Sequence, residues 1–187
     1  MKLFWTASYH GKSLYQKNYD LVGKVLDSQS GLEIVATEKG NYLDLVPPSI
    51  RERLKNHPQK LHYEAVRRGI LAADAVAIEM SQEDFQLGHE ATLAIQAKKH
   101  VLCLSVHEDF SAKIDNRYFH GAKYNRATVE EQIEAFLALA QKDLLSRRFN
   151  LFLTSAQEQF LKSKGLESGL GASDYVRSLV DAARSTT

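Results

Sequence analysis

The sequence predicts an α/β fold built on a doubly wound parallel sheet, with a smaller strand, helix, helix appendage at its C-terminal end. Three observations lead there. Short apolar runs at Lys2–Ala7, Ala75–Met80 and His100–Val106 carry almost no charge, as strands buried on both faces of a parallel sheet do. Each of the first two runs into a polar turn and then into apolar residues at helical spacing. After residue 146 the pattern changes to a period of two and then to two short helical segments.

Lys2–Ala7 leads into the turn Ser8-Tyr9-His10-Gly11-Lys12-Ser13, after which Leu14, Tyr15, Tyr19, Val22, Val25 and Leu26 recur at helical spacing. A loop that opens a helix aims backbone N–H groups at a bound anion, although this one has neither a GxGxxG nor a Walker pattern and also reads as a plain connection. Ile34–Ala36 is the second strand, and Thr37-Glu38 at its carboxyl end makes Glu38 a pocket candidate. Between Gly40 and Lys60, Pro47-Pro48 and Pro58 interrupt any period. This reads as a lid, a binding loop or a surface excursion, with a short helix after Pro48. His62–Ala73 has Tyr63, Val66, Ile70 and Leu71 at helical spacing.

The stretch Ala73–Ala94 organises the chain. Its turn, Ser81–Asp84, lies between the carboxyl end of a strand and the start of a helix, where doubly wound folds bind ligands. Asp84 and Glu90 are the carboxylates there, and Gly88 between them leaves the helix surface open. A lone carboxylate in such a place suits nucleophilic attack at a sugar anomeric carbon. The same residues also read as a helix cap and a solvated glutamate. Further on, a short strand is expected near Ala122–Tyr124 and a helix over Thr128–Ser146, acidic at its start and followed by Arg147-Arg148.

These residues resemble a family. Glu79, Ser81-Gln82, Asp84, Leu87-Gly88, His89-Glu90 and Ala94, followed by His100–Ser105, are similar to the core signature of the nucleoside 2-deoxyribosyltransferase-like proteins, deoxynucleotide N-hydrolases included. Lys2–Gly11, Thr37-Glu38 and Phe110-Ser111-Ala112 with Ile114 extend the resemblance over about residues 1–125. It implies a flavodoxin-like domain over residues 1–146 that cleaves or transfers the N-glycosidic bond of a nucleoside or nucleotide. It also implies Glu90 as nucleophile, Asp84 orienting base or ribose, and ligand contacts from Ser8, Tyr9, His10, Gly11, Glu38, Ser81, Gln82, Gly88 and His89. Ser111 is implied to reach into a neighbouring subunit's pocket. The chain departs from the family at two helpers: Val66 stands where related enzymes carry an Asp, and Phe4-Trp5 where they offer a Tyr. Glu64, His62, Glu38 and His10 are the polar groups left to compensate. The alternative is a nucleotide sensor without catalysis. Asp84 stands where the nucleotide-hydrolysing members have Ser and disfavours a 5′-phosphate by like-charge repulsion, whereas Ser8 and Ser111 resemble the nucleotide branch.

Residues 147–187 form a separate module in this reading. Phe149, Leu151 and Leu153 alternate with Arg148, Asn150 and Phe152, and helices follow over Ser155–Lys164 and Ala172–Arg184. The order resembles a ribbon-helix-helix module, which implies a homodimer through paired strands, with Arg148 and Asn150 facing any bound DNA. Six basic against four acidic residues make this a mild charge for DNA, so a pure dimerisation tail is an equal alternative.

Composition limits the rest. With 187 residues, 44% hydrophobic and 25% charged, the chain has room for one substantial core, and a net charge of +1 points to no class of charged partner. Cys103, the sole cysteine, lies in an apolar strand and reads as core. The seven histidines lack ligand spacing, so no metal and no cofactor are expected. With no targeting or membrane-spanning segment apparent, a cytoplasmic protein without membrane partners is expected.

Overall fold

The computed structural model describes residues 1–144 and 151–185. The chain divides into two units, Met1–Leu144 and Leu145–Thr187.

The first unit is an α/β fold of the flavodoxin-like kind. Strands β1 (Lys2–Ala7), β2 (Glu33–Ala36), β3 (Ala75–Glu79), β4 (His100–Ser105) and β5 (Phe119–Lys123) form one all-parallel sheet in the order β2-β1-β3-β4-β5. Helices α1 (Lys12–Ser28), α2 (Pro48–Leu54), α3 (Pro58–Ala72), α4 (Phe85–Gln96) and α5 (Val129–Lys142) connect or follow them. The direction of winding reverses between β1 and β3, so the carboxyl ends of these two strands flank a crevice.

Because strand side chains alternate, each strand supplies both core layers. Leu3, Trp5, Ala7, Ala77 and Leu104 pack with Tyr19, Val22 and Leu26 of α1 and Ile133 and Phe136 of α5. Phe4, Val76, Ile78, Val101 and Cys103 pack on the other face with Val66 and Ile70 of α3 and Leu87, Ala91 and Ala94 of α4. Cys103 is fully buried, and burial pushes its thiol up to about 12. Helix α3 sits very close to β1. A Cβ at Gly69 would fall 2.2 Å from the Phe4 ring, so only glycine fits.

Three expectations change. The segment from Gly40 to Lys60 is mostly ordered as a 3-10 turn at Asn41–Leu45 and as α2, and Pro58 opens α3 one turn before His62. Proline is suited to the first helical turn, so what looked like interruption is helix initiation. The Asn41 side chain anchors the segment to β2 by donating to Ile34 O at 3.0 Å and accepting from Ala36 N at 2.8 Å. Strand β5 starts at Phe119, earlier than its apolar residues suggest, because His120 and Gly121 lie within it. Helix α5 ends at Lys142.

In the second unit, α6 (Ser155–Glu167) opens with a capping box. Thr154 Oγ1 accepts from Gln157 N, and Gln157 Oε1 accepts from Thr154 N. Helix α7 covers Ala172–Ser185. The expected strand has only its last part, residues 151–154, in the described chain, and these make no ladder there. Arg148 and Asn150 lie outside the described residues. Leu151, Phe152, Leu153, Leu179 and Val180 are exposed, Phe152 at 98%. No described helix is long and apolar enough to cross a membrane.

Candidate functional site

The loops after β1 and β3 meet across the crevice through Asp84. Ser8 Oγ donates to Asp84 Oδ2 at 2.5 Å, while Asp84 Oδ1 accepts from Leu87 N at 2.9 Å as the N-cap of α4. Ser8 Oγ also accepts from Gly11 N at 3.3 Å. Asp84 is therefore a helix cap, as its position before α4 suggests, and a clasp between the two loops as well. Gly11 is required by close approach: a Cβ there would lie 2.2 Å from Tyr19 Oη and 2.6 Å from Gln82 Cβ.

Glu90 is not a solvated residue. It is 2% exposed, on the side of α4 that faces the sheet. Gln86 Nε2 donates to its Oε1 at 2.8 Å, while its Oε2 makes no hydrogen bond of good geometry. Burial pushes its carboxyl up to about 7; the Gln86 and Thr6 side chains oppose that rise and the charge of Asp84 adds to it. A second carboxylate, Glu79 at the end of β3, differs by being fully partnered. It accepts from Ser81 Oγ, from Ser81 N at 3.2 Å and from Tyr124 Oη at 2.8 Å. Burial raises its pKa, and those bonds counteract the rise.

Tyr19 Oη, beneath the Ser8–Gly11 loop, is a further buried polar atom without a partner. Burial, then the negative charges of Glu79, Glu38 and Asp84, keep the phenol protonated well above its ordinary range. Glu38 itself pairs with Lys12 at 2.9 Å and accepts from Gln16 Nε2 at 3.2 Å.

Of the residues expected at a ligand, Ser8, Gly11, Gln82, Asp84 and Glu90 gather around the crevice, with Ser81 buried behind it. Ser81 Oγ accepts from Val106 N at 3.0 Å in addition to its bond to Glu79. Gly88 leaves open space, since a Cβ there would meet nothing within 4 Å. Tyr9 and His10 are exposed beside each other. His89 lies on the outer side of α4, stacked on Tyr63 at 5.8 Å and Phe85 at 6.5 Å. Ser111 stands apart in the 3-10 turn after β4, its hydroxyl bonded to Gly121 N at 2.9 Å and Gly121 O at 3.1 Å.

Among the polar groups left to compensate for Val66 and Phe4, only His62 connects to Glu90. Its Nε2 lies 2.9 Å from Gln86 Nε2, and its Nδ1 lies 2.9 Å from Tyr42 Oη. Glu64 instead faces Arg68 at 2.7 Å and Arg67 at 3.8 Å. Val66 and Phe4 are core residues. Sequence reasoning missed Gln86 and Tyr42. Gln86 carries a legible signal, lying one helical turn before Glu90, whereas Tyr42 comes from a connection with no period to read.

A groove between α1 and β2, lined by Trp5, Tyr19, Gly23, Ile34, Ala36 and Glu38, lies on the α1 side of the sheet, opposite the layer that holds Glu90. Among the described residues no group of three His, Cys, Asp or Glu side chains is placed to hold a metal ion. No family model matches this chain, and no curated protein matches it.

Proposed function

We propose that the first unit cleaves or transfers the N-glycosidic bond of a nucleoside or nucleotide, with Glu90 as nucleophile. The observation that carries this reading is the buried Glu90 carboxylate beside the crevice where the sheet reverses direction, whose Oε2 lacks a well-formed hydrogen bond and is held only by the neighbouring Thr6 side chain. In the proposed reaction Glu90 Oε2 bonds to the anomeric carbon, and the C–N bond breaks with its electron pair leaving on the base, which takes a proton from water. Water or a second base then displaces the carboxylate, giving up a proton to the hydroxide left by the first step, and restores Glu90. Asp84, clasped to Ser8, holds both loops around the ligand.

Incubation with a panel of nucleosides and their monophosphates, assayed for free base, tests the reading. Wild type should release base from at least one, and Glu90→Gln should abolish release while retaining the wild-type circular dichroism. Full activity in Glu90→Gln would refute the mechanism.

A sensor without catalysis is the second reading. It is favoured by the core packing of Phe4 and Val66, which leaves no polar helper at those positions, and by the engagement of both Asp84 oxygens within the protein. Saturable nucleoside binding in calorimetry without base release would select it. For the second unit we propose a ribbon-helix-helix-like dimerisation module whose partner is a second copy of this chain. Its support is the exposed apolar set Leu151, Leu153, Leu179 and Val180. DNA contact through Arg148 and Asn150 belongs to the same proposal.

A further inference from the structure

We propose that Gln86 and His62 are positioning residues for Glu90: neutral His62 holds the Gln86 amide with its NH2 toward the Glu90 carboxylate, and protonation of His62 turns that amide over and protonates Glu90 with it. The inference deepens the reading of Glu90 as nucleophile and rests on it only for the kinetic consequence.

The donor inventory leads to this arrangement. An amide nitrogen can only donate, and Gln86 Nε2 lies within bonding distance of both Glu90 Oε1 and His62 Nε2. Its two hydrogens therefore serve the two acceptors, and His62 Nε2 must be unprotonated. The ring proton is then on Nδ1, where it donates to Tyr42 Oη at 2.9 Å. Tyr42 also meets the imidazole edge to face, with ring centroids 5.5 Å apart. The wire thus runs from the 3-10 turn through α3 and α4 to the crevice.

A proton on His62 Nε2 would face a donor. Rotation of the terminal amide relieves this, because that torsion is broad and two-fold. The Gln86 carbonyl then accepts from His62 and faces Glu90 Oε1, where a carboxylate is repelled and a carboxylic acid can donate. Two protons therefore bind together. Burial favours the uncharged form at both ends, lowering the His62 pKa and raising that of Glu90. Other ionisable groups around the wire are few. Asp84 and Tyr42 bear on Glu90, as the shifts of Glu90 and Tyr42 reflect. On α3, Tyr63 is turned to His89 of α4, and Glu64 is held by Arg67 and Arg68. Asp44 of the turn is held by Arg51.

The test is an NMR titration of the full chain. Long-range imidazole spectra at pH 8, with His62 assigned by its loss in His62→Phe, should give the Nδ1–H tautomer in wild type. The Glu90 carboxyl carbon should titrate more steeply than one proton allows and at the pH where His62 titrates. Gln86→Met, of similar shape without the amide, should separate the two into independent single-proton steps. His62→Phe, should Gln86→Met fail to fold, should likewise leave Glu90 with a single-proton curve. An Nε2–H tautomer, or a wild-type Glu90 curve that neither variant changes, would overturn the proposal. If wild type releases base, the acid limb of log kcat should have a slope of about two that falls to about one in Gln86→Met. If no base is released, the nucleophile reading fails while the titrations still decide the coupling.

Discussion

Replacing Glu90 with Gln changes how stability depends on pH, and the size of the change follows from the site. The folded protein holds the Glu90 carboxyl at about 7 in place of its ordinary 4.5. At about 1.36 kcal/mol for each pH unit, this difference amounts to about 3 kcal/mol. The direction is set by proton count. Between pH 4.5 and 7 the folded chain keeps a proton that the unfolded chain releases, so wild-type stability falls as pH rises through this window and levels off above it. Below pH 4.5 both states are protonated and the contribution is complete. Glutamine stays neutral throughout and has no such loss. The stability of Glu90→Gln relative to wild type should therefore rise by about 3 kcal/mol between about pH 4.5 and pH 8. Urea unfolding followed by tryptophan fluorescence reads the first unit specifically, because Trp5 is the only tryptophan and is buried on β1. With both proteins in a His62→Phe background, which removes the coupled His62 titration, subtracting them removes the titrations they share. A difference that is the same at every pH would refute a desolvated carboxyl at Glu90.

Asp84→Ala removes the α4 cap and leaves Ser8 Oγ without its acceptor, so urea unfolding should register a loss of about 1–2 kcal/mol, with Asp84→Asn losing much less. Equal losses in the two variants would show that the cap is not what Asp84 contributes. Leu151→Asp should dissociate or unfold the second unit if it pairs with a second copy of the chain, and light scattering should then report a smaller assembly than wild type. An unchanged mass in Leu151→Asp would remove this strand as the assembly device.

The sheet was readable in the chain because its strands need little beyond themselves to be recognised. Lys2–Ala7 and Ala75–Glu79 are buried on both faces, so nearly every position had to be apolar or small, and their limits agree with the structure to within a residue. The Asp84 cap was readable for a similar reason, being a bond to a backbone N–H three residues away. Elements with weak periods were harder. Residues 41–54 form short turns of helix whose stability comes from Asn41 on β2 and Arg51 on Val46 O, partners that local pattern does not reveal.

By itself, the sequence determined the layer order of the first unit, the position of its crevice and the presence of carboxylates there, because these follow from strand burial, helix period and the topology of parallel connections. Tertiary structure alone decided the state of each carboxylate. Glu79 and Glu90 are both acids near the crevice, yet β3 turns Glu79 toward Tyr124 and Ser81, where all its needs are met, while α4 buries Glu90 against the sheet with Oε2 lacking a well-formed hydrogen bond. That difference depends on which of two opposite faces each side chain enters and what distant residues wait there, Tyr124 being 45 positions from Glu79 and His62 24 from Gln86. Desolvation and hydrogen bonding are properties of that assembled surrounding, and they set a carboxyl's charge where sequence sets only its place.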